Sequence, residues 1–411
     1  MTRLFERWAI DPALVLGTLG LTLFGIAMIY SAGVVYIPNP VTEHAWMRQA
    51  IWFGLALLGF TVLSRVPLRW IEWLAVPAYA ISLVLLAATL VIGTGAGTAA
   101  GVKSWIQLGP LRFQPSEFAK IATILVLARL LSQRLDRLTS LKDLIAPAAL
   151  VCVPLALVMR QPDLGTAMAF IGILFAMLFW AGTPVVLLLL VASPVASLVV
   201  SFDTLIWSWY ILAVVGLLYY YRDKLYFFES VMVVLANFAA GTISRPLWNS
   251  LAQYQRNRIL VYLDPEVDPR NAGYQVIQSK VAIGSGGLTG KGFTLGTQKR
   301  FDFLPEQHTD FIFSVVGEEL GFVGVVVLLA LFAWLLRRMI TTATLAANEF
   351  GNLVVFCLFA VWFIHLLINV GMTVGLMPIT GLPLPFISYG GSFLLMTFVG
   401  LALASRVAME R

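Results

Sequence analysis

The sequence predicts an all-α fold, a polytopic integral membrane protein of about twelve transmembrane helices with one long external loop. Of its 411 residues 60% are hydrophobic and only 12% charged, against about 25% charged in an average soluble domain. The apolar residues fall into runs of roughly the ~20 residues that cross a bilayer. Only one long polar interval separates them, so the expectation is a single membrane domain, 1–411, that carries the loop 247–309 within it.

In order, MTRLFERW places Arg3 and Arg7 before an apolar run from about Ala13 to Tyr30. That run is long, starts after Pro12 and lacks an A-x-A-like exit, which reads as a retained first helix rather than a cleaved signal. Further runs lie near 49–64, 71–94, 116–132, 144–159, 164–182, 184–201, 206–221, 227–246, 310–336, 351–372 and 387–405. No internal repeat is visible.

Orientation follows from basic residues at the helix ends. With a cytoplasmic N-terminus, one side collects Arg3/Arg7, Arg65/Arg69, Arg129/Arg134/Arg137/Lys142, Arg222/Lys224, Arg337/Arg338 and Arg406/Arg411. Both termini are then cytoplasmic and the long loop external. A bacterial cytoplasmic membrane is the expected location. The net charge of +6 is accounted for by these anchors and the loop, so no nucleic-acid partner is expected.

Within the loop, residues 264–313 mix acids with Arg270, Lys280, Lys291, Lys299 and Arg300 around Gly284, Gly286, Gly287, Gly290 and Gly292. Glycines flanked by lysines suggest backbone N–H groups that approach a phosphate, or a segment that merely turns tightly. Two nucleotide motifs fail here. A P-loop ending at Lys291 meets Ser285 and Gly292 in the wrong places, and a dinucleotide fingerprint from Gly284 meets Thr289.

Polar groups inside or against the membrane need partners. Glu117 and Lys120 stand i, i+3 at the start of the fourth run, where they can pair. Asp163 opens the sixth, a favourable place for a carboxylate. This trio serves either helix packing or function. His365 and Asn369, i, i+4 in the eleventh run, read as interhelical hydrogen-bond donors and acceptors. With only His44 and His308 besides, no histidine metal cluster is expected. Cys152 and Cys357 both lie in apolar runs and read as packed small hydrophobes rather than a disulfide.

Six segments in this order resemble one family: WIQLGPLRFQPSEFAK (105–120), QPDLGT (161–166), GYQVIQSKVAIGSGGLTGKG (273–292), LPEQHTDFIF (304–313), GEELG (317–321) and PITGLPLPFISYGGS (378–392). The chain resembles the SEDS family (shape, elongation, division and sporulation), bacterial polymerases of peptidoglycan glycan strands. AIGSGGLTGKG, GTQ and PITGLPLPF are more similar to its rod-shape branch than to its division branch. Members typically have ten membrane helices, so the resemblance implies that the segment 203–246 adds two.

The resemblance implies lipid II and undecaprenyl-linked glycan as substrates. A GlcNAc 4-hydroxyl would attack C1 of the donor sugar with inversion and release polyprenyl pyrophosphate. A glycosidase needs two carboxylates because its sugar leaving group must be protonated. Pyrophosphate leaves as an anion, so one base suffices if cations meet the developing charge. On residues alone Asp310 could equally cap the next helix; the resemblance makes it the catalytic base. Arg112, Lys120, Lys280 and Lys291 are the implied pyrophosphate ligands, with Trp105, Glu117, Asp163, Gln278, Ser279 and His308 completing the substrate site. A divalent cation, Mg or Mn, is compatible with such a site. A class B penicillin-binding protein transpeptidase and other elongation-complex membrane proteins are the implied partners. The competing readings are a lipid II flippase or transporter, which would put its ionisable groups near midplane, and a non-catalytic scaffold.

Overall fold

A computed structural model describes residues 11–36, 40–95, 103–109, 111–134, 138–222, 225–251, 253–268, 272–301, 303–304 and 306–410. Of the basic anchors, Arg3, Arg7, Arg137, Lys224 and Arg411 lie outside the described residues, as do Arg270 and Asp302 of the polar interval.

All twelve expected runs are helices: α1 (Pro12–Ala32), α2 (Ala45–Leu63), α3 (Leu68–Ile92), α4 (Pro115–Ser132), α5 (Leu141–Arg160), α6 (Leu164–Trp180), α7 (Val185–Val200), α8 (Thr204–Tyr220), α9 (Phe227–Ser250) and, after the polar interval, a final trio. That interval is itself folded, with α10 (Gln253–Leu263), α11 (Ala272–Ser285) and the single turn α12 (Thr297–Arg300). The trio is α13 (Ile312–Thr344), α14 (Glu349–Thr373) and α15 (Gly391–Met409). Eight of the twelve are long and apolar enough to cross a membrane, and α6, α7 and α8 are shorter apolar helices. The twelfth, α4, carries Glu117, Lys120 and Arg129. Such a set makes a polytopic membrane protein. The all-α expectation holds apart from a short two-stranded hairpin between α3 and α4, β1 (Ile106–Leu108) with β2 (Leu111–Phe113), in whose register Gln107 pairs with Arg112.

Local chemistry sets the ends. Asp11, before Pro12, accepts from the N–H groups of Ala13 and Leu14, and Asp203 and Asn348 cap α8 and α14 in the same way. Ser140 and Asp143 form a capping box at α5.

The most enclosed helices are α4, α14 and α15. α14 packs on α13, α6, α4 and α15, and α15 on α2. α8 and α9 lean on α7, and α8 buries only Val214 and Leu218. Inside that unit Asn237 donates to Ser193 Oγ at 2.7 Å, Trp207 to Ser197 Oγ at 2.8 Å and Ser201 to Ser244 Oγ at 2.7 Å. These bonds join α7, α8 and α9 where lipid offers no partner. The additional pair is thus a peripheral flap.

α13 is broken at Gly321, whose φ of 64° and ψ of −163° interrupt the helix. A break orphans carbonyls before it and N–H groups after it. The glycine-rich segment meets both. Lys291 N–H and Gly292 N–H donate to the carbonyls of Glu318 and Glu319 at 3.0 Å each, while Phe322 and Val323 N–H groups reach the carbonyls of Gly287 and Leu288 at 2.9 and 3.0 Å. A Cβ on Gly286 would stand 2.0 Å from the Gly317 carbonyl oxygen, and one on Gly290 2.1 Å from that of Glu319. The glycines therefore clamp a broken helix. The phosphate cradle suggested by their spacing is corrected, because the N–H groups of Lys291 and Gly292 are already bonded to protein.

Two ion pairs, one half-buried and one fully buried, reinforce the clamp. Lys291 Nζ meets Glu318 at 2.7 Å. Lys299 and Glu319, both fully buried, pair beside Ser31, whose hydroxyl donates to Glu319 at 2.6 Å. Cys357 is buried as expected, but Cys152 is exposed on α5, so the expectation of a packed side chain fails there.

Candidate active site

Asp310 ends a tight turn that leads into α13. Glu306 has a positive φ of 54°, and its carbonyl accepts from the N–H groups of Thr309 and Phe311. That geometry turns the chain back upon itself and leaves the Asp310 side chain half-buried at the helix entrance.

Three contacts fix this turn. Asn369 on α14 donates to the Asp310 carbonyl at 2.9 Å, and also to Leu382 O at 2.9 Å. Ser388 Oγ donates to Thr309 O at 2.6 Å, and Tyr389 N–H to His308 O at 2.9 Å. The carboxyl itself lies against Gly381, where a Cβ would stand 3.4 Å from Oδ2. Gly381, at φ +77°, leaves open space that a side chain would occupy.

The environment raises Asp310's affinity for a proton. Burial pushes its pKa up to about 7; the nearby carboxylates of Glu306 and Asp163 act in the same direction, and Arg258 on α10 opposes them. A carboxyl poised there can take up a proton at neutral pH.

Asp163 caps α6, accepting from Thr166 N–H at 3.0 Å and Thr166 Oγ1 at 2.8 Å, with Gln114 Nε2 at 3.4 Å. Gly165 packs on the Thr380 carbonyl, which seats α6 on the same PITG turn that touches Asp310. Glu117 and Lys120 pair at 2.8 Å, both buried. Lys120 Nζ also lies 3.3 Å from His365 Nε2 and 5.6 Å from the Phe393 ring centroid. His365 and Asn369 do not bond one another: His365 reaches Lys120 on α4 and Pro383 O, as expected of an interhelical contact, whereas Asn369 bonds the non-helical backbone at Asp310 and Leu382.

The other expected residues are placed as follows. Arg112 is exposed, and its carbonyl accepts from Ser392 Oγ at 3.0 Å, which ties the hairpin to α15. Trp105 bridges Thr94 through its backbone. His308 is buried, its ring 5.5 Å from that of Tyr389. Lys280 is exposed on α11 at a small cavity with Val261, Val276 and Ile379, its stem lying on Gly375. Gln278 precedes it, half-buried.

Two residues face other tasks. Ser279 is fully buried and bonds Ser314 Oγ and Thr373 O at 2.6 Å each, pinning α11 to α13 and α14. Lys291 is held by Glu318 in the helix clamp. Neither points to a ligand. Arg258 and Gly381, by contrast, are site neighbours that the sequence reading did not single out. Gly381 stood inside a quoted motif; Arg258 had no signal beyond lying in a polar interval.

No three His, Cys, Asp or Glu side chains among the described residues group as a metal site. Two contacts mark the other end of α13 and α15. Arg338, in the last turns of α13, pairs with Asp11 at 2.7 Å, and Glu410 accepts from Leu68 N–H at 3.1 Å. Along α13, Arg338 lies 26 residues beyond Ile312, at most about 40 Å at ~1.5 Å per residue.

The model of the FtsW/RodA/SpoVE cell cycle proteins matches residues 12–225 and 210–411, two stretches that meet around α8. The peptidoglycan glycosyltransferase MrdB of Escherichia coli K12 is 34% identical over 99% of this chain and 95% of its own. A probable peptidoglycan glycosyltransferase FtsW of Geobacter metallireducens is 37% identical over 98% and 95%. Among solved structures, the chain is similar to one described as a peptidoglycan synthase complex coordinating polymerization and crosslinking, with a TM-score of 0.72 and 31% identity over 98% of both chains. It is also similar to the rod shape determining protein RodA of Thermus thermophilus, at a TM-score of 0.64 and 29% identity over 98% of this chain and 97% of that one. Matches of this identity along nearly the whole length carry the conclusion: the chain belongs to the FtsW/RodA/SpoVE family of cell cycle proteins.

Proposed function

We propose that this protein is an inverting peptidoglycan glycosyltransferase that lengthens glycan strands, with Asp310 as its base. The observation that carries the reading is a partly accessible carboxyl at the entrance of α13, pushed up to about 7 and under the influence of the Arg258 charge. The acceptor hydroxyl gives its proton to the Asp310 carboxylate while its oxygen forms the new bond to C1 of the donor sugar. The bond from C1 to the pyrophosphate oxygen breaks, and the leaving group departs with the electron pair. Because the leaving group is anionic, no second carboxyl is needed as its acid.

Lys120 and the exposed Arg112 are the cations assigned to the pyrophosphate, with Lys280 and Arg258 at the other wall. A divalent ion, if one takes part, arrives with the pyrophosphate as part of the substrate. Lipid II supplies the acceptor and an undecaprenyl-linked strand the donor. The Asp310 end is external, and the basic residues at the opposite end anchor it to the cytoplasmic side of a bacterial inner membrane. Residues 247–309 are the external part of one membrane domain. The similarity to a synthase complex in which polymerization and crosslinking are coordinated supports a class B penicillin-binding protein as partner.

Purified protein supplied with lipid II and no other enzyme should make glycan strands. Movement of lipid II across vesicles without strand synthesis would favour transport, and inactivity in both assays would favour a scaffold.

A further inference from the structure

One face of α14 holds both halves of the candidate site. Asn369 takes the Asp310 carbonyl, and one turn earlier His365 takes Lys120. His365 is fully buried, and its tautomer can be assigned from its neighbours. An ammonium has only donors, so Nε2, at 3.3 Å from Lys120 Nζ, presents its lone pair; a carbonyl has only acceptors, so Nδ1, at 3.0 Å from Pro383 O, carries the proton. The ring is further fixed by stacking on Phe393, at 5.1 Å and 16°.

Lys120 is buried, but its stem is flexible and its ammonium has three donors to place. Glu117 alone, on the same helix as Lys120, would draw the ammonium along α4. His365 supplies a second acceptor from another helix. Two fixed acceptors define one position.

We propose that His365 is a positioning residue for the transfer, accepting from Lys120 through Nε2 so that the ammonium is aimed at the departing pyrophosphate. This rests on the glycosyltransferase reading. Base and cation act at opposite ends of one displacement, and the two residues that hold the Asp310 backbone and the Lys120 ammonium stand i, i+4 on a single helix, about 6 Å apart in rise. Misplacement of either by about 1 Å costs on the order of 10²-fold in rate.

The test uses the full-length purified protein with lipid II, reading kcat and KM separately. In His365→Asn the side-chain amide replaces Nδ1–H and still serves Pro383 O, but leaves Lys120 without its acceptor. In His365→Gln the longer side chain returns an oxygen near the Nε2 position. Positioning predicts that Asn lowers kcat by on the order of 10²-fold with KM changed less than about threefold, and that Gln restores most of the rate. In a Lys120→Met background the Asn substitution should have no further effect. A purely structural role predicts the reverse order, with Asn the better substitute, and losses that add to those of Lys120→Met. That result overturns the proposal. Should a variant melt earlier than the parent, the same cycle measured below both melting temperatures gives the decision. Strand synthesis absent from the parent protein would overturn the glycosyltransferase reading and this inference together; synthesis by the parent with parental kcat in His365→Asn overturns this inference alone.

Discussion

The Lys291 ammonium meets the Glu318 carboxylate at 2.7 Å, and the same carboxylate oxygen accepts from Thr297 N–H at 2.8 Å and Gln298 N–H at 3.0 Å. One buried side chain thus gathers a lysine and the start of α12 against the break in α13. The region reads as architecture, and its substitutions should report on stability before chemistry.

Gly290→Ala should destabilise strongly. Its Cβ would stand 2.1 Å from the Glu319 carbonyl oxygen, at a φ of +79°. A loss of roughly 3 kcal/mol or more is expected. Gly284→Ala meets nothing within 4 Å and lies in α11, so it should be neutral or gain up to about 1 kcal/mol. Thermal melts in detergent compare the two; equal melting temperatures would refute the clamp.

Breaking the fully buried Lys299–Glu319 pair should be worse than removing it. Lys299→Met leaves Glu319 uncompensated and should cost about 3–5 kcal/mol. Adding Glu319→Leu should recover much of that. A double variant less stable than the single would contradict the account.

The rate of strand synthesis should depend on pH through Asp310. The base acts deprotonated, so with its pKa pushed up to about 7 the rate should fall tenfold per pH unit below that value and level off above it. Glu306 pushes the pKa up and Arg258 holds it down. Glu306→Gln should therefore move the acid limb to lower pH, and Arg258→Gln to higher pH. Asp310→Asn should lower the plateau by on the order of 10²–10⁴-fold, although Asn caps a helix about as well as Asp. Near-parental synthesis by that variant would move the search for the base to Asp163 or Glu117.

Orientation can be read by labelling in a Cys152→Ser background, which removes the exposed native thiol. Thr289→Cys and Ala347→Cys are both at exposed positions in turns at opposite ends of the molecule. An impermeant thiol reagent applied to intact spheroplasts should reach only position 289. Reaction at 347 alone would invert the assignment.

Replacing α8 and α9 with an unrelated helical hairpin should leave chemistry intact provided the protein folds. The pair contacts α7 and buries little of α8. Loss of synthesis in a well-folded chimera would show that the flap serves the site.

All twelve spans were legible because a bilayer demands length and apolarity, and both are properties of the sequence itself. Asp310, Asp163 and the Glu117–Lys120 pair were legible too, since helix entrances and i, i+3 spacing are local. The glycine clamp was not. Its partners are backbone carbonyls freed at Gly321, some thirty residues downstream, and GEELGF contains no proline to announce the break. Arg258 was equally hidden: only tertiary folding of α10 over the site brings its charge to bear on Asp310.

The break at Gly321 also bears on how the protein is made. Chains emerge N-terminus first, so residues 286–292 exist before the helix they clamp is complete. The stretch 322–344 enters the bilayer with its first N–H groups open until Gly287 and Leu288 supply carbonyls, which no lipid tail can do. Docking of the polar interval is therefore what completes the hydrogen bonding of α13 at the break.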